Sequence, residues 1–211
     1  MKIALRLLWY FAFIWVVVLC AGTFFQYYDF QNNSHFLQIK AAAVKTGWYL
    51  PAFYFHIVAS SVILWIGFFQ FSKKIYNNRP LHKMLGKIYV FGVLFFSAPG
   101  AYVMMLFINR GPGVFTSFLV QNTLWVIFTL MAWVYVKNGR IADHICMMRR
   151  SYSLAFAAVT LRFYIFLFAI LALGVNFEHN YLLIAFASWV PNLLFAELLN
   201  YYFRYKVNYF T

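Results

Sequence analysis

The sequence predicts an all-α, polytopic membrane protein: one domain spanning residues 1–211, built from six transmembrane helices with both termini cytoplasmic. Three observations predict it. Of the 211 residues, 65% are hydrophobic and only 10% are charged, and mean hydropathy is +0.74. A water-soluble domain this apolar would aggregate, so the bilayer is the solvent for most of the surface. Six apolar runs, at about 7–25, 50–71, 87–108, 116–136, 151–173 and 181–203, each approach the roughly 20 residues that cross the hydrocarbon core as helix. Basic residues alternate between faces very unequally. One face carries Lys2, Arg6, Lys73, Lys74, Arg79, Lys83, Lys87, Lys137, Arg140, Arg149, Arg150, Arg204 and Lys206, while the other has only Lys40, Lys45 and Arg110. This asymmetry places the basic face in the cytoplasm.

The first run follows Lys2 and Arg6 and continues to Cys20. It has no small-residue cleavage motif, and Leu19 stands where a lipoprotein signal needs a small residue, so it reads as an uncleaved span. In the link that follows, Ser34 is expected to cap a short helix through Lys45, with Phe36, Leu37, Ile39 and Val44 in the membrane interface. Span two places His56, Ser60, Gly67 and Gln70 along one face. Span three carries a similar stripe of His82, Gly86, Tyr89, Ser97 and Gly100, and Pro99 predicts a kink. Span four offers Asn122, Trp125 and Thr129. In span five, His144 and Arg162 are 18 residues apart, five helical turns, with Met148, Ser151, Ala155 and Ala158 between them. Span six holds Pro191, which frees a carbonyl at mid-membrane, and Asn192. Five of the six helices thus carry an inward polar or small-residue stripe, which points to a polar seam through the bundle.

Two charges fall within the spans, Arg162 in span five and Glu197 in span six. Charge near a helix centre costs at least roughly 2.5–3.5 kcal/mol, so the two are expected to form a buried ion pair, as a packing clip or a relay. Cys20 and Cys146 lie at opposite ends of different spans and predict no disulfide. The aromatic residues, 24% of the chain, read as lipid-facing bulk and interfacial belts. Topology accounts for the net charge of +13, and no nucleic-acid-binding motif is present. The expected partners are therefore the bilayer itself, anionic head groups at the cytoplasmic face, and a further membrane protein.

Two basic loops share a layout in which a histidine opens the next apolar run. They are Arg79-Pro80-Leu81-His82-Lys83-Met84-Leu85-Gly86-Lys87 and Arg140-Ile141-Ala142-Asp143-His144 through Arg149-Arg150. A b-type haem in a helical bundle needs two imidazoles at similar depth, small residues beside the porphyrin, and basic groups near the propionates. His82 and His144 are the candidate iron ligands, with Lys87, Arg149 and Arg140 as the charges and His56 as a ligand toward the opposite side. A zinc site would draw on His82, His144, Asp143 and Cys146, but no HExxH spacing is present. Nor is there a nucleophile elbow, P-loop or dinucleotide fingerprint. The expected function is to hold haem b or a quinone among spans two to six as a membrane redox component. A transporter-like or scaffolding subunit without chemistry is the alternative.

The chain also resembles a bacterial family of multi-pass membrane proteins of unknown function, domain of unknown function 2306. The resemblance rests on His56, Gly67-x-x-Gln70-Phe71, Arg79-Pro80-x-His82-x-x-x-Gly86-Lys87-x-Tyr89, His144 with Met148-x-Arg150-Ser151-Tyr152, and Val159-Thr160-Leu161-Arg162. It runs from about residue 50 to Glu197. Where the family tends to carry an aromatic or basic residue after the second histidine, this chain has Ile145 and Cys146. The resemblance implies a helical protein of the bacterial inner membrane and assigns no activity. A looser similarity to small di-haem cytochrome b bundles rests on the paired histidines and basic loops.

Overall fold

The structure, a computed structural model, describes residues 2–30, 34–175 and 177–209. The side chains of Lys2, Arg6, Lys73, Arg204 and Lys206, part of the basic-face tally, lie outside the described set. Every regular element among the described residues is helical. Six helical segments are long and apolar enough to cross a membrane: Tyr10–Tyr27, Tyr49–Gln70, Arg79–Met105, Gly111–Lys137, Ile141–Ile170 and Glu178–Phe203. In chain order they are spans one to six.

Spans three and five begin well before their apolar runs, because the basic loops are themselves the first helical turns. Asn78 caps span three by accepting from the Leu81 backbone N–H, and Pro80 sits in the first turn, where its missing N–H costs nothing. His82 and His144 therefore lie in the first turns of helices, at the basic face.

Three spans are interrupted, and each interruption has a chemical cause. Span three passes through a π-helical turn, Gly92–Ser97, just before Pro99. Span five breaks at Phe156, between Ile141–Ala155 and Ala157–Ile170. Span six breaks at Ser188, ahead of Pro191. Within a bilayer the displaced carbonyls need other donors. Gln121 Nε2 donates to the Leu154 carbonyl at 3.4 Å, and Trp15 Nε1 donates to that of Val159 at 3.2 Å. At the break in span six, Thr160 Oγ and Asn192 Nδ2 both donate to the Ser188 carbonyl. Polar side chains from spans one, four, five and six close these gaps.

Glycine sets the closest approaches. A Cβ built on Gly100 would lie 2.5 Å from the Ala52 carbonyl oxygen and 2.9 Å from the Cβ of His56, so spans two and three touch backbone to backbone here. Gly67 takes the ring of Tyr152, whose hydroxyl donates to the Leu64 carbonyl at 3.1 Å.

The link after span one is helical in two pieces. Ser34 does cap a helix, accepting from Leu37 N–H, and His35–Ile39 and Ala41–Val44 form two short helices. They pack against the bundle along one side. Leu37 and Ala43 are buried in an aromatic cluster with Tyr49, Phe53 and Tyr54. Of the four residues expected at the interface, Phe36 and Ile39 stay exposed.

Candidate functional site

At the face opposite the basic one, the two short helices, the 108–111 turn and the start of span six surround a cavity of about 1000 Å³. It runs between the spans to mid-depth. Its walls include Thr23 and Tyr27 from span one, His56 and Ser60 from span two, Gln121 and Trp125 from span four, Arg162 from span five and Tyr181 from span six. Between these lie Phe53, Ile57, Ile63, Leu64 and Leu161, so the surface alternates polar groups with aliphatic and aromatic wall.

The π-turn positions the histidine. His56 Nδ1 lies 2.8 Å from the Ser97 carbonyl, which can only accept, so Nδ1 carries the proton. In the neutral ring this leaves Nε2 as an acceptor. Ser97 also bonds the hydroxyl of Ser60, one turn along span two from His56. At the same depth the Gln121 Oε1 atom is buried without a hydrogen-bond partner, while its amide nitrogen serves Leu154. Arg162 lines the cavity with its side chain exposed there. Among the described residues its hydrogen bond is to the Ala158 carbonyl one turn back, at 3.4 Å. Among the described residues no carboxylate lies within ion-pair distance of it.

Two more cations stand at the mouth. Lys40 donates to the Phe107 carbonyl at 2.7 Å, tying the short helices to the end of span three. Its burial, and then the neighbouring Arg110 charge, hold the ammonium below the ordinary lysine range. Arg110 stacks on Tyr181, 4.1 Å from the ring centroid. The cavity's single carboxylate, Glu178, sits at the N-terminal end of span four, where the helix dipole favours negative charge. A Cβ built on Gly111 would nearly touch it.

The expected Arg162–Glu197 pair does not form. Glu197 makes a two-pronged ion pair with Arg150, which donates from Nε and Nη2. Depth explains the exchange. Counted from the end of each span away from the basic face, Glu197 is 19 residues in, Arg150 is 20 and Arg162 only 8. At about 1.5 Å per residue, Arg162 is roughly 16 Å too shallow. Placing span five at its apolar run alone had put Arg162 at the wrong level. We therefore expect Arg162→Met and Glu197→Leu to be additive in unfolding free energy to within about 0.5 kcal/mol. Arg150→Met and Glu197→Leu should instead couple measurably. The pair is partly exposed, at 22% and 42%, which holds the coupling to about 1 kcal/mol. A double-mutant cycle in mixed micelles checks both.

The other candidates divide between separate places. His82 and His144 are electrostatic neighbours at the basic face. His144 Nδ1 donates to the Ala132 carbonyl at 2.8 Å, whereas His82 Nδ1 is buried without a partner. Gln70, at the end of the span-two stripe, donates to the His82 carbonyl at 2.9 Å. Lys87 is exposed beside a shallow apolar groove. Arg149 turns to span six, donating to the Leu199 carbonyl at 3.3 Å and to Asn200 Oδ1 at 3.4 Å. Among the described residues no three His, Cys, Asp or Glu side chains converge as a metal-binding group.

Between the cavity and the histidine pair runs a buried hydroxyl chain. Tyr89 and Ser151 are 2.9 Å apart, and Ser151 and Thr129 are 2.7 Å apart. Thr129 spends its one proton on the Trp125 carbonyl at 2.7 Å. Ser151 must then donate to Thr129, and Tyr89 to Ser151. A chain that points one way and ends on a backbone carbonyl is a clip joining spans three, four and five. The seam is thus a cavity, a clip and a histidine pair in series, not one open channel. Lys40, Arg110, Glu178, Gln121 and Arg150 had not been expected as site or pairing residues. In the sequence the first two mark only topology, and Arg150 stands out only as a basic residue and as part of the Met148-x-Arg150-Ser151-Tyr152 motif.

The fold and the site define an all-helical, multi-pass membrane protein with a deep cavity between its spans. The chain belongs to the family described as Predicted membrane protein (DUF2306), which matches residues 53–200 and so bears out the resemblance. No curated protein and no solved structure matches the chain. The matched region includes His56, Arg162 and both basic-face histidines, whereas span one and Lys40 lie outside it.

Proposed function

We propose that this protein holds a lipophilic ligand in the cavity between its spans, in a bacterial inner membrane with the basic face cytoplasmic and the cavity mouth on the outer side. One observation carries the reading. A space of about 1000 Å³, large enough for a drug-sized or lipid-like molecule, combines apolar walls with a few convergent polar groups at mid-depth. Polar atoms there, such as Gln121 Oε1, lack a protein partner, and a ligand head group would supply one. A quinone is a redox-active molecule of this class, and holding one would make the protein a membrane redox component.

Protein purified in a neutral detergent and extracted with organic solvent should release an amphiphile close to one per chain by mass spectrometry. Ala158→Trp, which puts an indole ring into the cavity beside Arg162, should reduce it strongly. If nothing is recovered and no added amphiphile raises the unfolding midpoint, the reading fails.

The haem b reading draws on a different observation. The Nδ1 bond of His144 to a backbone carbonyl is how metal-ligating imidazoles are commonly oriented, and His82 is its neighbour. The same preparation tests it, by a Soret band that is lost in His82→Ala.

A further inference from the structure

Resting on the lipophilic-ligand reading, we infer that the ligand's head group is an anion, a phosphate or carboxylate on an apolar body, received inside the membrane by Arg162. A permanent charge in a membrane span ordinarily faces a partner. All four acidic residues of the chain are accounted for elsewhere or lie outside reach. Asp143 pairs with Arg140, Glu197 with Arg150, and Glu178 sits against Gly111 at the start of span four. Asp29 lies near Tyr54 beyond the end of span one. Among the described residues Arg162 is left facing the cavity with a carbonyl of its own helix as its hydrogen-bond partner.

The charge pattern of the cavity agrees. Three cations line it, Lys40, Arg110 and Arg162, against the one carboxylate of Glu178. Lys40 and Arg110 are neighbours at its mouth. A guanidinium is the side chain best matched to a phosphate or carboxylate, because its planar fork donates two parallel hydrogen bonds. Gln121 and the ring of His56 complete the polar end, and Ile57, Ile63 and Leu161 offer the apolar body its contact. A bare inorganic anion would leave that wall unused, and a neutral alcohol would leave Arg162 uncompensated.

The full chain in phosphatidylcholine nanodiscs is titrated with dodecyl phosphate, dodecanol and inorganic phosphate, with binding read by native mass spectrometry. Dodecyl phosphate should bind at least about tenfold tighter than either, the scale of a charge-assisted hydrogen bond in a desolvated site. Arg162→Gln should remove the preference over dodecanol, and Arg162→Lys should keep part of it. If dodecanol binds as tightly as dodecyl phosphate, or Arg162→Gln keeps the preference, the inference is overturned while the cavity reading stands. If none of the three binds, both fail. Should Arg162→Gln not fold, Lys40→Gln is the second variant. It should weaken dodecyl phosphate and not dodecanol, and an equal effect on both also overturns the inference. Repeating the titration with phosphatidylglycerol in the disc separates two sources of the anion. Competition assigns the site to a bilayer lipid, and unchanged binding assigns it to a free amphiphile.

Discussion

Gly100→Ala is expected to destabilise the protein by about 3 kcal/mol, the upper end of the usual cost of overpacking. The added methyl would lie 2.5 Å from the Ala52 carbonyl oxygen and 3.1 Å from the His56 backbone nitrogen, and backbone cannot rotate away as a side chain can. Spans two and three must separate at the level of His56. The bond from His56 to the Ser97 carbonyl would lengthen with them, so ligand binding should fall along with stability. Gly22→Ala is the control, because a Cβ there meets nothing within 4 Å. It should be neutral or slightly stabilising, since alanine outranks glycine in a helix by about 0.5–1 kcal/mol. Unfolding midpoints of both variants in an SDS titration decide the matter. Equal effects would mean that spans two and three are not in backbone contact.

Arg162→Met is expected to do the opposite, raising stability by on the order of 1–3 kcal/mol while abolishing the response to an anionic amphiphile. An arginine held by a carboxylate would behave in reverse, since its loss leaves a buried charge behind. Here no carboxylate is left behind, because Glu197 keeps Arg150. What is removed is a cation at membrane depth whose one hydrogen bond among the described residues is to the Ala158 carbonyl. Access from the cavity lowers the cost of that cation, which is why the expected gain reaches below the figure for a lipid-exposed helix centre. A fall in unfolding midpoint would show that Arg162 braces the bundle instead of serving a ligand.

The helical class, the six spans and the inward stripes were legible in the sequence, since each rests on local hydropathy and on the period of the helix. His56, Ser60, Gly67 and Gln70 do share an inward face, as do Tyr89, Ser97 and Gly100. Asn122, Trp125 and Thr129 are buried together. His144 and Arg162 do not meet, because they lie five turns apart along span five, on either side of its break at Phe156. His144 serves the basic end through Ala132, while Arg162 opens on the cavity.

Composition and periodicity by themselves determined that the chain lives in a bilayer, how many times it crosses, and which side chains turn inward. Those properties are set residue by residue, by transfer free energy and by 3.6 residues per turn. Only the tertiary structure decided which inward groups meet. Partnership depends on the relative depth of two helices, and a shift in where span five begins moved Glu197 from Arg162 to Arg150. The cavity was likewise beyond local reading. Its mouth is made by Lys40, Arg110 and Glu178, from three separate stretches of chain that only the folded bundle brings to one place.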